Sequence, residues 1–302
     1  MSGASKRRPT PQDWLEHIFI IGFVIGTRLL PARAAVWLAG FLGKLAFDMI
    51  GFRRKVTLAN LGTRLAGGRS AGELEEIGRR SYVHFGMSIA EFVRVPAVNR
   101  DYVDRHIRID GLEHLDKALE GKKGAVLVTG HFGSWELMGR ALVLAGYPMN
   151  FIVGVQRNPL VQDMMNNIRR SAGVGVIEPD SLLRITRRLR SNGFVAMLSD
   201  QDAGPHGAFV DFFGEKASTP RGAARLAMMT GAPVIPGFIV RLGGLRHHVV
   251  IEKPVEIPSG LGREEAVLEI TRGFTAVIEK YAREHPDHYL WAHRRWRTRP
   301  VS

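Results

Sequence analysis

Between residues 120 and 240 short apolar runs alternate with amphipathic helical ones, and this alternation limits the fold more than any other feature. Runs at Ala125–Thr129, Phe151–Val155, Phe194–Leu198 and Val234–Val240 have the length and composition of buried strands. Between them the spacing predicts helices near Ser134–Leu144, Leu160–Arg170, Ser181–Arg190 and Pro220–Thr230. The last has Thr219 as its expected cap, Pro220 in its first turn and Gly231 just past its end. A longer helix from about Glu264 to Glu284 sets Val267, Ile270, Phe274, Val277 and Tyr281 along one side. Elements in this order specify an α/β fold with a mainly parallel central sheet flanked by helices.

The first third of the chain reads differently. Ser70-Ala71-Gly72-Glu73 is a capping box opening a helix that carries Leu74, Ile77, Tyr82, Phe85, Ile89 and Phe92. Ahead of it an apolar stretch runs from Ile18 to Ile25, is interrupted by Arg28 and Pro31, and resumes from Ala34 to Gly43. Basic groups, Lys6 to Arg8 and Arg53 to Lys55, lie on both flanks, so charge does not orient a single span. A spanning helix needs about 20 apolar residues, which the first run reaches only with Leu29 and Leu30 included and Arg28 snorkelling. A pair of buried core helices fits the same pattern. We read residues 1–55 as a basic, hydrophobic, helical membrane-anchoring segment, one tilted span or an interfacial hairpin, and 56–302 as the catalytic domain.

Composition removes several functional classes. The chain has no cysteine, which excludes disulfides, thiolate metal sites and a cysteine nucleophile. Its net charge of +13 calls for an anionic partner. No basic run carries the interleaved aromatics of a base-stacking platform, so nucleic acid is not the expected one.

Ligands of such sheets gather at the carboxyl ends of the strands, and the strand Ala125–Thr129 runs directly into Gly130-His131. Glu136 follows five positions later. On one continuous helix that spacing is about 140° off the same face. The two can meet only if His131 sits on the loop and Glu136 in the first turn of the next helix. A carboxylate on one imidazole nitrogen fixes the tautomer and leaves the other nitrogen to take a hydroxyl proton. A His–Glu pair alone is equally the pattern of a surface hydrogen bond.

The run Thr129-Gly-His-Phe-Gly-Ser-Trp-Glu136 resembles the histidine–four residues–acid motif of glycerolipid acyltransferases, in the form found in the late acyltransferases of lipid A biosynthesis. Three more blocks agree. Arg157-Asn158-Pro159-Leu160, followed by Arg169 and Gly173, is similar to that family's second block. Asp200-Gln201-Asp202-Ala203-Gly204, with Phe209 to Gly214 and Ala217 to Pro220, is similar to its third. The ending, Tyr289 to Pro300, looks like its C-terminal signature. Gly130 and Glu136 stand where the wider superfamily often has Asn and Asp, as they do in the lipid A branch.

The resemblance implies acyl transfer from an acyl carrier protein thioester to a hydroxyl of a glycolipid, a Kdo-bearing lipid A precursor in the first instance. It implies a bacterial inner-membrane enzyme with its catalytic domain on the cytoplasmic face, needing no cofactor and no metal. His131 is then the general base and Glu136 its orienting acid. Arg157, Asn158, Arg169 and Asp200 are candidates for substrate binding, since a guanidinium fork suits phosphate and Asp200 ends a strand. Phe209, Phe212 and Phe213 suit either an acyl channel or plain core. The Arg and Trp residues of the ending suit a lipid headgroup layer or a structural role. Related enzymes acylate phosphatidylinositol mannosides, which leaves the acceptor open. Three rivals remain. Asp200-Gln201-Asp202 has the form of a metal-holding glycosyltransferase motif. His131 with Glu136 suggests a zinc hydrolase, but no third ligand is placed. A non-catalytic membrane-surface binding protein would also explain the charge and the apolar start.

Overall fold

The computed structural model describes residues 8–257 and 259–300. Lys6 and Arg7, expected to flank a membrane segment, lie outside them. Nine strands are present among the described residues: β1 (Ile107–Asp110), β2 (Ala125–Thr129), β3 (Met149–Ile152), β4 (Gly175–Ile177), β5 (Phe194–Leu198), β6 (Ala208–Phe212), β7 (Glu215–Thr219), β8 (Val234–Gly243) and β9 (Arg246–Ile251). Seven form one sheet in the order β1-β9-β8-β2-β5-β3-β4. Every pairing in it is parallel except the β8–β9 hairpin. β6 and β7 form a separate antiparallel ribbon whose turn uses positive φ at Phe213 (54°) and Gly214 (78°).

Four helices precede the sheet: α1 (Pro11–Leu29), α2 (Ala32–Leu45), α3 (Arg54–Arg64) and α4 (Ala71–Arg94). The others are α5 (Arg100–His106), α6 (Leu112–Glu120), α7 (Trp135–Leu144), α8 (Pro159–Ser171), α9 (Leu182–Arg190), α10 (Gly222–Thr230) and α11 (Arg263–Glu284). They cover both faces of the sheet. On one side Val126, Val128 and Val234 pack against α9, α10 and α11; on the other Leu127, Ile235 and Val249 pack against α6, α7 and α8. The fully buried strand β2 is the continuous apolar run that a doubly covered parallel strand requires.

Two local expectations change. The third strand begins at Met149 rather than Phe151, because its pairing with β5 starts at Met149 opposite Phe194. Thr219 does not cap α10. Its backbone is committed to the ribbon, opposite Ala208, and its hydroxyl donates to Ala217 O, so the helix starts at Gly222 behind Arg221. Gly231 does end α10, in the left-handed region.

Helix α4 opens with the expected capping box, Ser70 and Glu73 bonding each other's backbone N–H. It then serves as the strut on which the N-terminal helices rest. Arg28 Nε donates to Val93 O at 3.1 Å, and Arg94 donates to Thr27 O and Leu30 O. Farther along, the buried Glu91 receives Arg241 of β8 through two hydrogen bonds of 2.7 Å. Among the described residues no single helix is long and apolar enough to cross a membrane; one pair, Ala32–Ile50 with Arg54–Arg64, reaches that composition but bends by 93°. The outer faces of α1 and α2 nevertheless leave Ile18, Phe19, Leu29 and Trp37 more than 60% exposed.

Near its middle α4 meets the turn at 286–288. His84 and His288 rings lie 4.1 Å apart, and Asp287 Oδ1 sits 2.8 Å from His288 Nδ1. His288 Nε2 accepts the Arg241 N–H at 3.0 Å, so its Nδ1 carries the proton and no lone pair remains for a metal. Burial pushes the pKa of His84 down to about 3; His288, Arg241 and Arg80 push the same way, and Asp287 opposes them. The unfolded chain protonates this imidazole near its ordinary value of 6.5. The unfolded state thus binds the extra proton first, and stability falls as pH drops from about 6.5 toward about 3. His84→Gln should flatten the decline in urea midpoint between about pH 7 and about pH 5. Equal declines in variant and wild type would contradict the assignment.

Candidate active site

Strands β2 and β5 run parallel and in register, with Thr129 opposite Leu198. The ladder continues one step further, where Ser199 N donates to Thr129 O at 2.9 Å. Beyond that step, past both strand ends, His131 meets Asp200. The Asp200 carboxylate accepts the His131 backbone N–H on Oδ2 and pairs ring Nδ1 on Oδ1, both at 2.8 Å. Gly130 makes room for this approach, since a Cβ there would stand only 3.2 Å from Asp200 Oδ2. Gly133, at φ +56°, lets the loop pass tightly over Ile239 O before α7 begins.

Asp200 is 4% exposed. Burial alone would raise its pKa, but the charge of His131 and the two hydrogen bonds from it outweigh burial and hold the carboxyl below its ordinary range. An ionised Asp200 accepts, so Nδ1 carries the proton and Nε2 keeps a lone pair. Gln201 Nε2 lies 3.2 Å from His131 Nε2, in position to donate to that lone pair. A substrate hydroxyl replacing the amide would find a base already in the right tautomer.

Glu136 was expected on the imidazole, and here the structure departs from the sequence spacing. The carboxylate on Nδ1 is Asp200, while Glu136 receives Arg169. Arg169 Nε lies 3.0 Å and 3.2 Å from the two Glu136 oxygens, and Nη2 lies 2.6 Å from Oε1. Its remaining amino group donates to Asn166, and its guanidinium lies over the Phe92 ring. Both partners are buried, and a bidentate guanidinium satisfies a buried carboxylate more completely than an imidazole already occupied by Asp200. Arg169 is therefore a neutralising partner for Glu136. Both still line the same cavity of about 340 Å³ as His131, Trp135 and Gln201, with Leu127, Val128, Met138, Met149 and Phe151 deeper inside.

Asn158 is likewise spoken for. Its Oδ1 caps α8 by accepting from Leu160 N and Val161 N, and its Nδ2 donates to Asp13 O and Glu16 Oε2 of α1. Arg157, one residue earlier, is exposed on the loop and is not among the residues lining the cavity. Phe212 and Phe213 are core residues, the first stacked on Trp296 and the second meeting Trp291 edge to face, rather than walls of a channel. Phe209 is half-buried on the β6–β7 ribbon. The aspartates of Asp200-Gln201-Asp202 face different partners: Asp202 accepts from the Thr298 backbone and hydroxyl, so the two carboxylates do not converge on one ion.

The C-terminal block divides into two parts. Leu290 N donates to His131 O at 3.0 Å, and Tyr289 bridges Phe132, so the tail splints the His131 loop. The buried Arg295 donates to Ser218 O and Thr219 Oγ1 of β7, and Trp291 donates to Pro286 O. Arg294, Arg297 and Arg299 remain exposed. Sequence reasoning did not single out Gln201 or Tyr289; their one signal was adjacency to Asp200 and membership of the last block.

The Glu136–Arg169 pair makes a stability prediction. Arg169→Met should destabilise the fold by about 3–5 kcal/mol, because it leaves a buried carboxylate unpaired. Urea unfolding of that variant and of the double variant Glu136→Leu/Arg169→Met should show the second change recovering most of the loss. A single variant within about 0.5 kcal/mol of wild type, the range of an ordinary surface change, would contradict the pairing.

Comparison with known proteins agrees with this architecture. Residues 1–298 match the family model described as bacterial lipid A biosynthesis acyltransferase. The chain is 26% identical over 294 residues to a lipid A biosynthesis palmitoleoyltransferase of Escherichia coli (strain K12), covering 97% of this chain and 94% of that one. It is 27% identical over 295 residues to the lipid A biosynthesis lauroyltransferase of the same organism, covering 96% and 94%. To a phosphatidylinositol mannoside acyltransferase of Mycobacterium tuberculosis (strain ATCC 25618 / H37Rv) it is 32% identical over 159 residues, and there it spans only half the length of either protein. A match across almost the whole chain shows that the chain is an acyltransferase belonging to the bacterial lipid A biosynthesis acyltransferase family.

Proposed function

We propose that this enzyme transfers a fatty acyl group from an acyl carrier protein thioester to a hydroxyl of a glycolipid, a lipid A precursor. His131 Nε2 is the base in this reading, and Asp200 is the group that orients it. The observation that carries the reading is the Asp200–His131–Gln201 line at the ends of β2 and β5, with Asp200 buried behind the half-buried ring. The acceptor oxygen attacks the thioester carbonyl as its proton passes to Nε2. The tetrahedral intermediate then collapses, the C–S bond breaks, and the imidazolium returns the proton to the departing thiolate. Asp200 stabilises the imidazolium between the two steps. In this reading the chemistry needs no metal and no cofactor.

Acyl-chain binding falls to the apolar cavities that meet at Trp135, Glu136, Met165 and Arg169. One lies beneath His131; the other, about 550 Å³, is lined by Phe19, Phe23, Phe85, Phe92 and Met164 between α1, α4 and α8. Each buried methylene contributes about 0.8 kcal/mol, enough for a chain to hold the donor or the acceptor. The second cavity shares Phe19 with the exposed apolar face of α1, which supports docking of that face on a membrane, taken in this reading to be the bacterial inner membrane met from its cytoplasmic side. The net charge of +13 suits anionic lipid and an acidic carrier protein alike. Among acceptors, the near full-length match to lipid A enzymes favours a lipid A precursor, while the half-length match keeps a phosphatidylinositol mannoside as the second reading.

With acyl carrier protein thioester as donor and a lipid A precursor as acceptor, His131→Ala and Asp200→Asn should each lower kcat on the order of 10²–10⁴-fold. Sedimentation with lipid vesicles should be unchanged in both. Near-normal turnover by either variant would sink the proposed roles.

A further inference from the structure

A second site adjoins the first. Arg53, Val56, Asp202, His293, Arg294 and Arg297 enclose a polar cavity of about 320 Å³. Its walls are built, not incidental. Asn60 Nδ2 donates to Trp291 O and His293 O at 2.8 Å and 2.9 Å, which clamps the tail backbone against α3. Arg53, held at φ +52° ahead of α3, donates to Ala292 O. A left-handed arginine costs on the order of 1 kcal/mol, and such strain persists where the surroundings enforce it. Asp202, the only acid among the described residues of the wall, is occupied by Thr298 at 2.9 Å and 3.1 Å and lies 3.4 Å from Arg297. Three guanidinium groups thus face one consumed carboxylate. The Arg294 side chain has no hydrogen bond or ion pair among the described residues, and His293 Nδ1 is buried there without a partner.

We propose that this cavity is a binding subsite for a phosphate ester on the acceptor lipid. One guanidinium without a partner and two with donors to spare, set around a pocket, suit a phosphate's oxygens and charge. One feature selects a lipid phosphate over the phosphate of a carrier-protein donor. Met49, Ile50 and Phe52, immediately before Arg53, are 78%, 75% and 62% exposed, an apolar tip that sets the arginines at headgroup depth when it enters a bilayer. Asp202 follows Gln201, which touches the reactive nitrogen of His131. Phosphate held here places its own lipid beside the base. The proposal rests on the acyl-transfer reading and adds to it what the enzyme grips on the acceptor.

The test uses the full-length protein and Arg294→Ala, whose side chain holds no other part of the fold, with Arg294→Ala/Arg297→Ala as the stronger variant. Acceptor glycolipid is supplied intact and after phosphatase treatment. With intact acceptor the double variant should raise KM about tenfold or more while kcat stays within about threefold, whereas the treated acceptor should be used equally by variant and wild type. Inorganic phosphate should compete with intact acceptor in wild type, and should saturably shift arginine side-chain NMR signals that the variant lacks. This last arm needs no turnover, so it supports the subsite even if the acyl-transfer reading fails. An equal KM change with both acceptors, or no saturable phosphate binding, overturns the proposal. So does a variant that loses binding to acceptor-free anionic vesicles but keeps its acceptor KM, because that result assigns the arginines to bulk lipid.

Discussion

Withdrawing a carboxylate from water costs several kcal/mol unless opposite charge and hydrogen bonds replace the lost hydration, and the ends of β2 and β5 are organised around one such group. Asp200 is compensated by the backbone N–H and ring of His131, with the buried Arg295 adding a favourable charge. The same contacts leave the imidazole one orientation and one tautomer. The C-terminal tail belongs to this arrangement, since Leu290 pairs with His131 and Arg295 is anchored to β7. The acid that orients the histidine ring is thus also what the loop, the tail and the ribbon are assembled to accommodate.

A second buried ion pair, Glu136–Arg169, stands in the same cavity and serves a different end. Glu136 begins α7 and Arg169 ends α8, so their contact locks the helix after the His131 loop to the one after β3. Asn158 performs the matching task at the other end of α8, tying it to α1. The apolar cavity between α1, α4 and α8 therefore has walls whose spacing is set by polar contacts at its rim. The two buried carboxylates thus differ in environment: one is bonded to a ring, the other to a guanidinium.

The sheet was legible because a fully buried strand is a continuous apolar run; β2 and β5 fall where the residues alone place them, at Ala125–Thr129 and Phe194–Leu198. Strand order was not legible. Nothing local says that β2 lies against β5, so the acid 69 residues away from His131 could not be preferred over the one five residues away. The short strands β1 and β4 and the β6–β7 ribbon escaped because three to five residues carry too little periodicity, and a ribbon covered by the tail does not alternate cleanly. Composition marked Trp291, Arg294, Arg295 and Trp296 as one basic aromatic ending. Packing separates them into buried anchors and exposed arginines, a distinction that depends on which side of the tail meets β7.

The central claim is that Asp200, and not Glu136, holds the proton-bearing Nδ1 of His131. Nitrogen-15 NMR of the imidazole reports this directly. The account predicts a His131 Nδ1–H signal in wild type that persists in folded Glu136→Gln and is lost or strongly shifted in folded Asp200→Asn. Loss in the Glu136 variant with retention in the Asp200 variant would contradict it.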